Sequence, residues 1–140
     1  MAANPYRDDP DDRYDTIVIG AGQAGPGVAA KLAADGDRVV LIEGERFGGT
    51  CLNTGCRPTK AMRASARAAH VARSSEALGV RSAEVTVDFP VVMSRIRGLL
   101  DGWRSGALTY YEGLDGLAYV HGRARLDGGD TAARRLRSPS

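Results

Sequence analysis

The chain has only two cysteines, Cys51 and Cys56, which lie in the run Gly-Gly-Thr-Cys-Leu-Asn-Thr-Gly-Cys-Arg-Pro-Thr-Lys. Two thiols this close on a glycine-rich turn can close a disulfide with little movement of the backbone. The second thiol stands at the predicted start of a helix, and a helix N-terminus favours the thiolate form. These features point to thiol–disulfide chemistry.

Two other interpretations fit a pair of cysteines. A zinc site normally needs four ligands, and the only histidines, His70 and His121, lie far along the chain. Unrelated core cysteines are the simpler alternative, since free cysteine often packs as a small apolar side chain. The cysteines by themselves favour this last alternative, so the surrounding residues have to decide.

A glycine pattern upstream carries a second kind of chemistry. The run Gly-Ala-Gly-Gln-Ala-Gly follows a short apolar strand and opens a predicted helix. Gly20 allows the tight turn, Gly22 lets the backbone approach a pyrophosphate, and Gly25 lets the helix pack close to the strand. The phosphate would lie at the N-terminus of the helix.

A second buried strand, residues 38–42, ends at Glu43, where a carboxylate can accept hydrogen bonds from ribose hydroxyls. A glycine turn without a ligand explains the glycines alone, but strand, turn, helix and terminal acid together predict nucleotide binding. Further elements are predicted downstream: a helix over 59–78 that stops at Gly79, an extended stretch at 85–87, a helix from Phe89 to about Gly113, and a third strand at 117–120. The predicted fold class is α/β with a parallel sheet.

Composition excludes several functions. The 19 basic and 17 acidic residues give a net charge of +2, which leaves no electrostatic footprint for nucleic acid. No run approaches 18 consecutive apolar residues, and the first 13 residues are acidic, unlike a signal peptide. We therefore expect a cytoplasmic protein with no membrane partner, and in that reducing compartment a close cysteine pair is more often catalytic than structural.

The cysteine run resembles the redox-active disulfide motif of the pyridine nucleotide-disulfide oxidoreductases, FAD enzymes that include dihydrolipoamide dehydrogenase, glutathione reductase and mercuric reductase. Its glycines, threonine, cysteines, proline and lysine recur in the same order. Residues 121–126 resemble the stretch where the backbone of this family meets the adenine end of FAD. The resemblance implies a Rossmann-like FAD-binding domain, with NAD(P)H as co-substrate in a full-length enzyme.

The resemblance also assigns roles. Cys51 would exchange with the substrate, while Cys56 would lie against the flavin, with Lys60 one helical turn beyond it as a cation that favours the thiolate. Arg57 stands where the family usually has an apolar residue. Its charge could lower the pKa of Cys56 or simply point to solvent, and we favour the second interpretation. The residues implied to bind FAD are Gly20, Gly22, Gly25, Glu43, Gly49, Thr50, Lys60 and Ala124, and no metal-binding residues are predicted.

The resemblance defines the expected domain organisation. Residues 1–13 are predicted to be a disordered tail, 14–126 to form the FAD-binding segment, and 127–140 to form a divergent, disordered tail that lacks the apolar strand expected next. The family continues with an NAD(P)H domain and a dimerisation domain. The Rossmann-like domain is therefore expected to be incomplete in these 140 residues, which alone should lack turnover.

The residues 22–26 and 52–56 look most like the mercuric-reductase-like branch of the family. The expected function is transfer of electrons from NAD(P)H through FAD and the cysteine pair to a small-molecule disulfide or a metal ion, in a protein whose full-length relatives are homodimers. The alternative is a truncated fragment that binds FAD weakly or not at all.

Overall fold

The computed structural model describes residues 13–81 and 83–126, together with the backbone of 132–135. The predicted helices and the three predicted apolar strands are present, whereas residues 85–87 form no strand. In chain order the elements are β1 (Thr16–Ile19), α1 (Gly25–Ala34), β2 (Val39–Glu43), α2 (Gly49–Asn53), α3 (Cys56–Ser74), a turn of 3-10 helix (Ser75–Leu78), α4 (Phe89–Glu112), β3 (Leu117–His121), β4 (Arg123–Leu126) and β5 (Ala132–Arg135).

Three parallel strands form the main sheet in the order β1-β2-β3. Val39 of β2 pairs with Thr16 on one side and with Leu117 on the other. The central position of β2 explains its sequence, since a strand covered on both faces reads as a continuous apolar run. The predicted parallel α/β architecture is confirmed.

The alternation of side chains along β2 creates two apolar clusters. Val39 and Leu41 face one side, where they pack with α1 and α4. Val40 and Ile42 face the other side, where they pack with β3 and with Ala124 of β4. The carboxyl ends of the parallel strands therefore open onto the turns that follow β1 and β2, which is where ligands bind in open α/β sheets.

The long helices α3 and α4 pack on each other and bury little of their surface. Ala61 is the buried residue of α3, and Ile96 is that of α4. Arg95 of α4 links the pair, because its guanidinium donates to the Ala61 carbonyl at 2.7 Å and to the Ser65 hydroxyl at 2.9 Å. No helix within residues 13–81 and 83–126 is long and apolar enough to cross a membrane.

A short antiparallel ladder corrects one expectation. The predicted disordered tail, 127–140, contains β5, which pairs with β4 so that Ala132 lies opposite Leu126. Pairing of this kind rests on backbone hydrogen bonds and does not require an apolar run, so the sequence pattern did not reveal it. Residues 1–12 of the other predicted tail, with 127–131 and 136–140, lie outside the described residues.

Candidate functional site

The glycine turn, residues 20–25, joins β1 to α1 through a backbone contact that a side chain would block. A Cβ atom on Gly25 would lie 1.9 Å from the Gly20 carbonyl oxygen. Gly20 adopts φ +103°, and its N–H donates to the Ile42 carbonyl at 2.7 Å. The predicted close packing of helix on strand at Gly25 is thus present, and left-handed geometry favours glycine at position 20.

The first turn of α1 has no side-chain cap, and Pro26 lies within it. An uncapped first turn presents backbone N–H groups and the positive end of the helix dipole, which together suit a phosphate. Gly22 lies beside this turn, and a Cβ built on it would meet no heavy atom within 4 Å. The open approach to Gly22 fits the predicted role of this glycine.

Glu43 ties the end of β2 to the glycine turn. One carboxylate oxygen, Oε2, accepts from the Ala21 N–H at 2.7 Å, and Oε1 accepts from the Glu45 N–H at 2.7 Å. A carboxylate offers about four lone-pair sites, so it can accept from ribose hydroxyls in addition. Glu43 therefore has a structural role that the sequence did not predict.

A cavity of about 360 Å³ opens at the carboxyl ends of the strands. Its volume lies within the range of small-molecule sites. Predicted cofactor residues from three separate segments meet there, which are Gly20, Glu43 and Ala124. The remaining lining residues are Ile19, Ile42, Gly44, Glu45, Gly122 and Arg123. A wall of small residues with the carboxylates of Glu43 and Glu45 offers acceptors for the hydroxyls of a nucleoside.

The dithiol turn, residues 48–56, packs directly on the glycine turn. The Gly48 N–H donates to the Ala21 carbonyl at 2.7 Å. A Cβ on Gly49 would lie 3.0 Å from the Gly22 Cα, so the two backbones touch. Thr50, the next predicted cofactor residue, is exposed at the start of α2. The predicted cofactor residues of the two motifs are thus brought together.

The two thiols also meet. Cys51 lies half-buried on α2, while Cys56 is the exposed first residue of α3, and both are free. A hydrogen bond with the Cys56 side chain, followed by burial, raises the pKa of the Cys51 thiol, while a hydrogen bond with the Cys56 backbone and then the positive charge of Arg57 oppose this shift. Gly55 makes the connection possible, since a Cβ there would lie 3.0 Å from the Thr50 carbonyl oxygen.

Two cations flank Cys56. Lys60 is exposed on α3, one turn beyond Cys56 and on the same face of the helix. Arg57 is also exposed, yet its Cζ atom lies 5.0 Å from the centre of the Trp103 ring. Arg57 is thus exposed, as expected, and it also makes a cation–π contact with Trp103 that the sequence did not predict.

The family described as Pyridine nucleotide-disulphide oxidoreductase matches residues 14–132. The chain belongs to this family. A dihydrolipoyl dehydrogenase of Bacillus subtilis is 36% identical over 93 residues, which are 66% of this chain and 20% of that protein. A mercuric reductase of Streptomyces lividans is 34% identical over 117 residues, 83% of this chain and 25% of that protein.

Among solved structures, the Cu(II) complex of the HOCl-induced flavoprotein disulfide reductase RclA from Escherichia coli is similar, with a TM-score of 0.67 and 27% identity. The alignment covers 87% of this chain and 25% of that one. The predicted family and its Rossmann-like fold are confirmed, and at family level the expected cofactor is FAD. The mercuric-reductase branch is not singled out, and the chain spans about a fifth to a quarter of the length of these relatives.

Two residues of the site were missed by the sequence analysis. Asn53 lies between Cys51 and Cys56, and its amide nitrogen donates to the carbonyls of Phe47 at 3.0 Å and Gly49 at 2.8 Å. Its amide oxygen accepts from Nε of Arg104 at 3.0 Å. Asn53 could have been singled out from its place in the motif, whereas Arg104 stands 51 residues away, with no local signal.

Proposed function

We propose that this chain forms the FAD-binding and dithiol-bearing part of an NAD(P)H-dependent flavoprotein disulfide oxidoreductase. The observation that carries the proposal is the contact between the two turns, where the Gly48 N–H donates to the Ala21 carbonyl at 2.7 Å. This contact puts the two cysteines beside an uncapped helix start, a feature that suits a phosphate. FAD, when bound, supplies the two-electron carrier between nicotinamide and thiols.

The residues that would hold the cofactor have separate tasks. The uncapped first turn of α1 would receive the pyrophosphate, with Gly22 and Gly49 giving the backbone access. Glu43 would accept from the ribose at the edge of the cavity, and Ala124 would form part of the wall. Thr50, exposed beside them, would contact the phosphates.

The proposed thiol chemistry follows the family resemblance, which gives Cys51 the exchange with substrate and Cys56 the position beside the flavin. In the forward direction the Cys51 thiolate attacks a disulfide RS–SR, which forms a mixed disulfide and releases one RS⁻. The Cys56 thiolate then attacks the Cys51 sulfur, closes the internal disulfide and releases the second RS⁻. The two protons lost by the thiols go to the two released thiolates. The positive charge of Arg57 favours the Cys51 thiolate.

We propose a mercuric-reductase-like substrate range, a small-molecule disulfide or a metal ion. Support comes from residues 22–26 and 52–56 and from the 83% of this chain that aligns with the Streptomyces lividans mercuric reductase. We also propose that the protein is a homodimer, which the family resemblance supports. A cytoplasmic location is proposed from the composition.

Flavin titration of the purified chain tests the cofactor. We expect FAD to bind, with quenching of flavin fluorescence, and ADP to compete because the cavity holds the adenosine end. Glu43→Ala should weaken both ligands about tenfold or more, since a hydrogen bond to a charged group is worth about 1.5 to 3 kcal/mol. The matched control is Glu76→Ala, which removes an exposed carboxylate outside the cavity. Failure of FAD and ADP to bind to the folded chain would contradict the proposal and favour a fragment without a cofactor.

Thiol labelling tests the redox pair independently of flavin. No free thiol is expected after mild oxidation, and two are expected after reduction with a dithiol. A mass that corresponds to two chains joined through their cysteines, in place of an internal disulfide, would contradict the pairing of Cys51 with Cys56.

A further inference from the structure

We propose that two neighbouring residues of α4, Trp103 and Arg104, act together as a positioning pair that fixes the separation of Cys51 and Cys56 for disulfide exchange. The inference rests on the proposed redox function of these cysteines. It concerns residues outside both sequence motifs. Trp103 contacts the segment that bears Cys56, while Arg104 contacts the segment that bears Cys51.

Arg104 acts through Asn53. Its Nε donates to the Asn53 amide oxygen at 3.0 Å, and Nη1 donates to Asp101 Oδ1 at 3.0 Å. The Arg104 side chain is 29% exposed, so the contact with Asn53 is partly shielded from water, in contrast to Asp101 at 71%. Because its oxygen is held by a cation, the Asn53 amide keeps its NH₂ group aimed at the carbonyls of Phe47 and Gly49.

The α2 helix depends on such contacts. It has five residues, is preceded by Gly48 without a side-chain cap, and is followed by Thr54, whose φ of −137° is not helical. A helix of this length is not stable by itself in water. Leu52 is its buried anchor, and Asn53 is its polar anchor. Since Cys51 lies on α2, release of Asn53 would let the Cys51 sulfur move relative to Cys56.

Trp103 acts on the other cysteine segment. The Arg57 guanidinium lies over its ring at 5.0 Å, and Arg57 directly follows Cys56 in the first turn of α3. Adjacent residues of one helix thus contact both sides of the dithiol turn. A helix of 24 residues is a stiff element, so α4 can hold the two segments at a fixed distance.

The proposal predicts a change in the thiol–disulfide equilibrium of Cys51 and Cys56 when the positioning pair is altered. An internal disulfide is more stable when the folded protein holds its two thiols close together, because their effective concentration is then high. Arg104→Met removes the donor to Asn53 but keeps an unbranched side chain. We expect it to shift the equilibrium of the pair toward the dithiol about tenfold, which is about 30 mV for a two-electron couple.

The experiment equilibrates the full 140-residue chain in glutathione buffers and measures the disulfide fraction by thiol labelling and mass spectrometry. The balanced reaction is reduction of the Cys51–Cys56 disulfide by two glutathione thiols, which gives two cysteine thiols and one glutathione disulfide. Arg97→Met, at an exposed site on the same helix, is the matched control and should stay within twofold of wild type. Trp103→Leu should shift the equilibrium in the same direction by about threefold.

A coupled variant separates positioning from a general loss of structure. In an Asn53→Ala background, Arg104→Met should cause no further shift, because its partner is already absent. Additive effects, or an unchanged equilibrium in Arg104→Met with wild-type circular dichroism, would overturn the inference. Should Arg104→Met fail to fold, the thiol–disulfide equilibrium is measured in Arg104→Lys and in Trp103→Leu. An unchanged equilibrium in both folded variants would overturn the inference. A wild-type chain that forms no internal disulfide would instead contradict the proposed function.

Discussion

The glycine turn and the dithiol turn are in backbone contact, yet different kinds of interaction hold them. The glycine turn depends on its own backbone, because Gly25 approaches the Gly20 carbonyl more closely than any side chain would allow. The dithiol turn contains glycines too, but its short α2 helix is anchored by side chains, chiefly Asn53 and its distant partner Arg104. The glycine turn is therefore encoded locally, whereas the dithiol turn is completed by α4.

This difference matters for chemistry. A phosphate site works as a rigid cradle, so a geometry fixed by backbone contacts is sufficient. A cysteine pair has to form and break a bond, which requires its two sulfurs to come together and separate. The side-chain contacts from α4 hold the two cysteine-bearing segments at a fixed distance, so that only the sulfurs have to move.

The largest effect should come from Gly25→Ala, which tests the backbone-encoded turn. The added Cβ would lie 1.9 Å from a carbonyl oxygen that cannot rotate away, so α1 has to separate from β1. Overpacking costs about 1 to 3 kcal/mol and occasionally more. We expect at least about 3 kcal/mol here in urea unfolding, with loss of ADP binding.

Gly27→Ala is the matched control on the same helix, because a Cβ there meets nothing within 4 Å. It should stabilise the chain by up to about 1 kcal/mol through helix propensity. Equal stability of the two variants would refute the argument that close approach dictates the glycine at position 25.

Glu43→Ala comes next, because this residue joins the glycine turn to the end of β2. It removes two charge-assisted hydrogen bonds, from the Ala21 and Glu45 N–H groups. A loss of about 2 kcal/mol in the free energy of unfolding is expected. Glu45→Ala removes only an exposed ion pair with Arg123 and should change stability by less than about 0.5 kcal/mol. A Glu45 effect as large as that of Glu43 would show that the carboxylate at 43 has no special structural role.

The third prediction concerns the ionisation of Tyr119, whose ring contacts the residue that precedes the dithiol turn. Tyr119 packs edge-on against Phe47, with ring centres 5.7 Å apart, and Phe47 immediately precedes Gly48. Burial, then the charges of Glu43 and Glu112, raise the pKa of Tyr119 to about 12. The folded state therefore favours the protonated phenol.

Stability should consequently be independent of this group below about pH 10 and should fall as the pH rises from about 10 to 12, since unfolding releases the proton in that window. Because the side chain is only partly buried, we expect a loss of about 1 to 2 kcal/mol. Tyr119→Phe should remove this fall in the free energy of unfolding with rising pH, measured by urea unfolding. Tyr110→Phe, at an exposed site, should not remove it. A wild-type curve that stays flat to pH 12 would contradict the assigned cause.

Local patterns account for what the sequence revealed. Apolar periodicity predicted β2 and α4, and the glycines of both motifs predicted where the turns form. These features depend on residues a few positions apart. The contacts of Arg104 with Asn53 and of Trp103 with Arg57 join residues far apart in sequence, so they follow only from the packing of α4. The pairing of β5 was missed for a related reason, because backbone hydrogen bonds leave no side-chain pattern.

The smallest expected effect tests the side-chain control of the dithiol turn. Cys56→Ala should lower the pKa of the Cys51 thiol toward its ordinary value, because the hydrogen bond with the Cys56 side chain is the largest cause of the upward shift. Arg57→Gln should raise that pKa slightly, since the Arg57 charge opposes the shift. Arg63→Gln, at an exposed site on α3, is the control and should leave it unchanged.

The pH dependence of iodoacetamide alkylation at Cys51 in the reduced chain, followed by mass spectrometry, measures these changes. In Cys56→Ala, alkylation should reach half of its maximal rate at a lower pH than in wild type, because the thiolate is the reactive form. Burial of Cys51 remains in this variant, so part of the upward shift should persist. A pKa that rises when Cys56 is removed would contradict this account, because the second thiol would then stabilise the Cys51 thiolate.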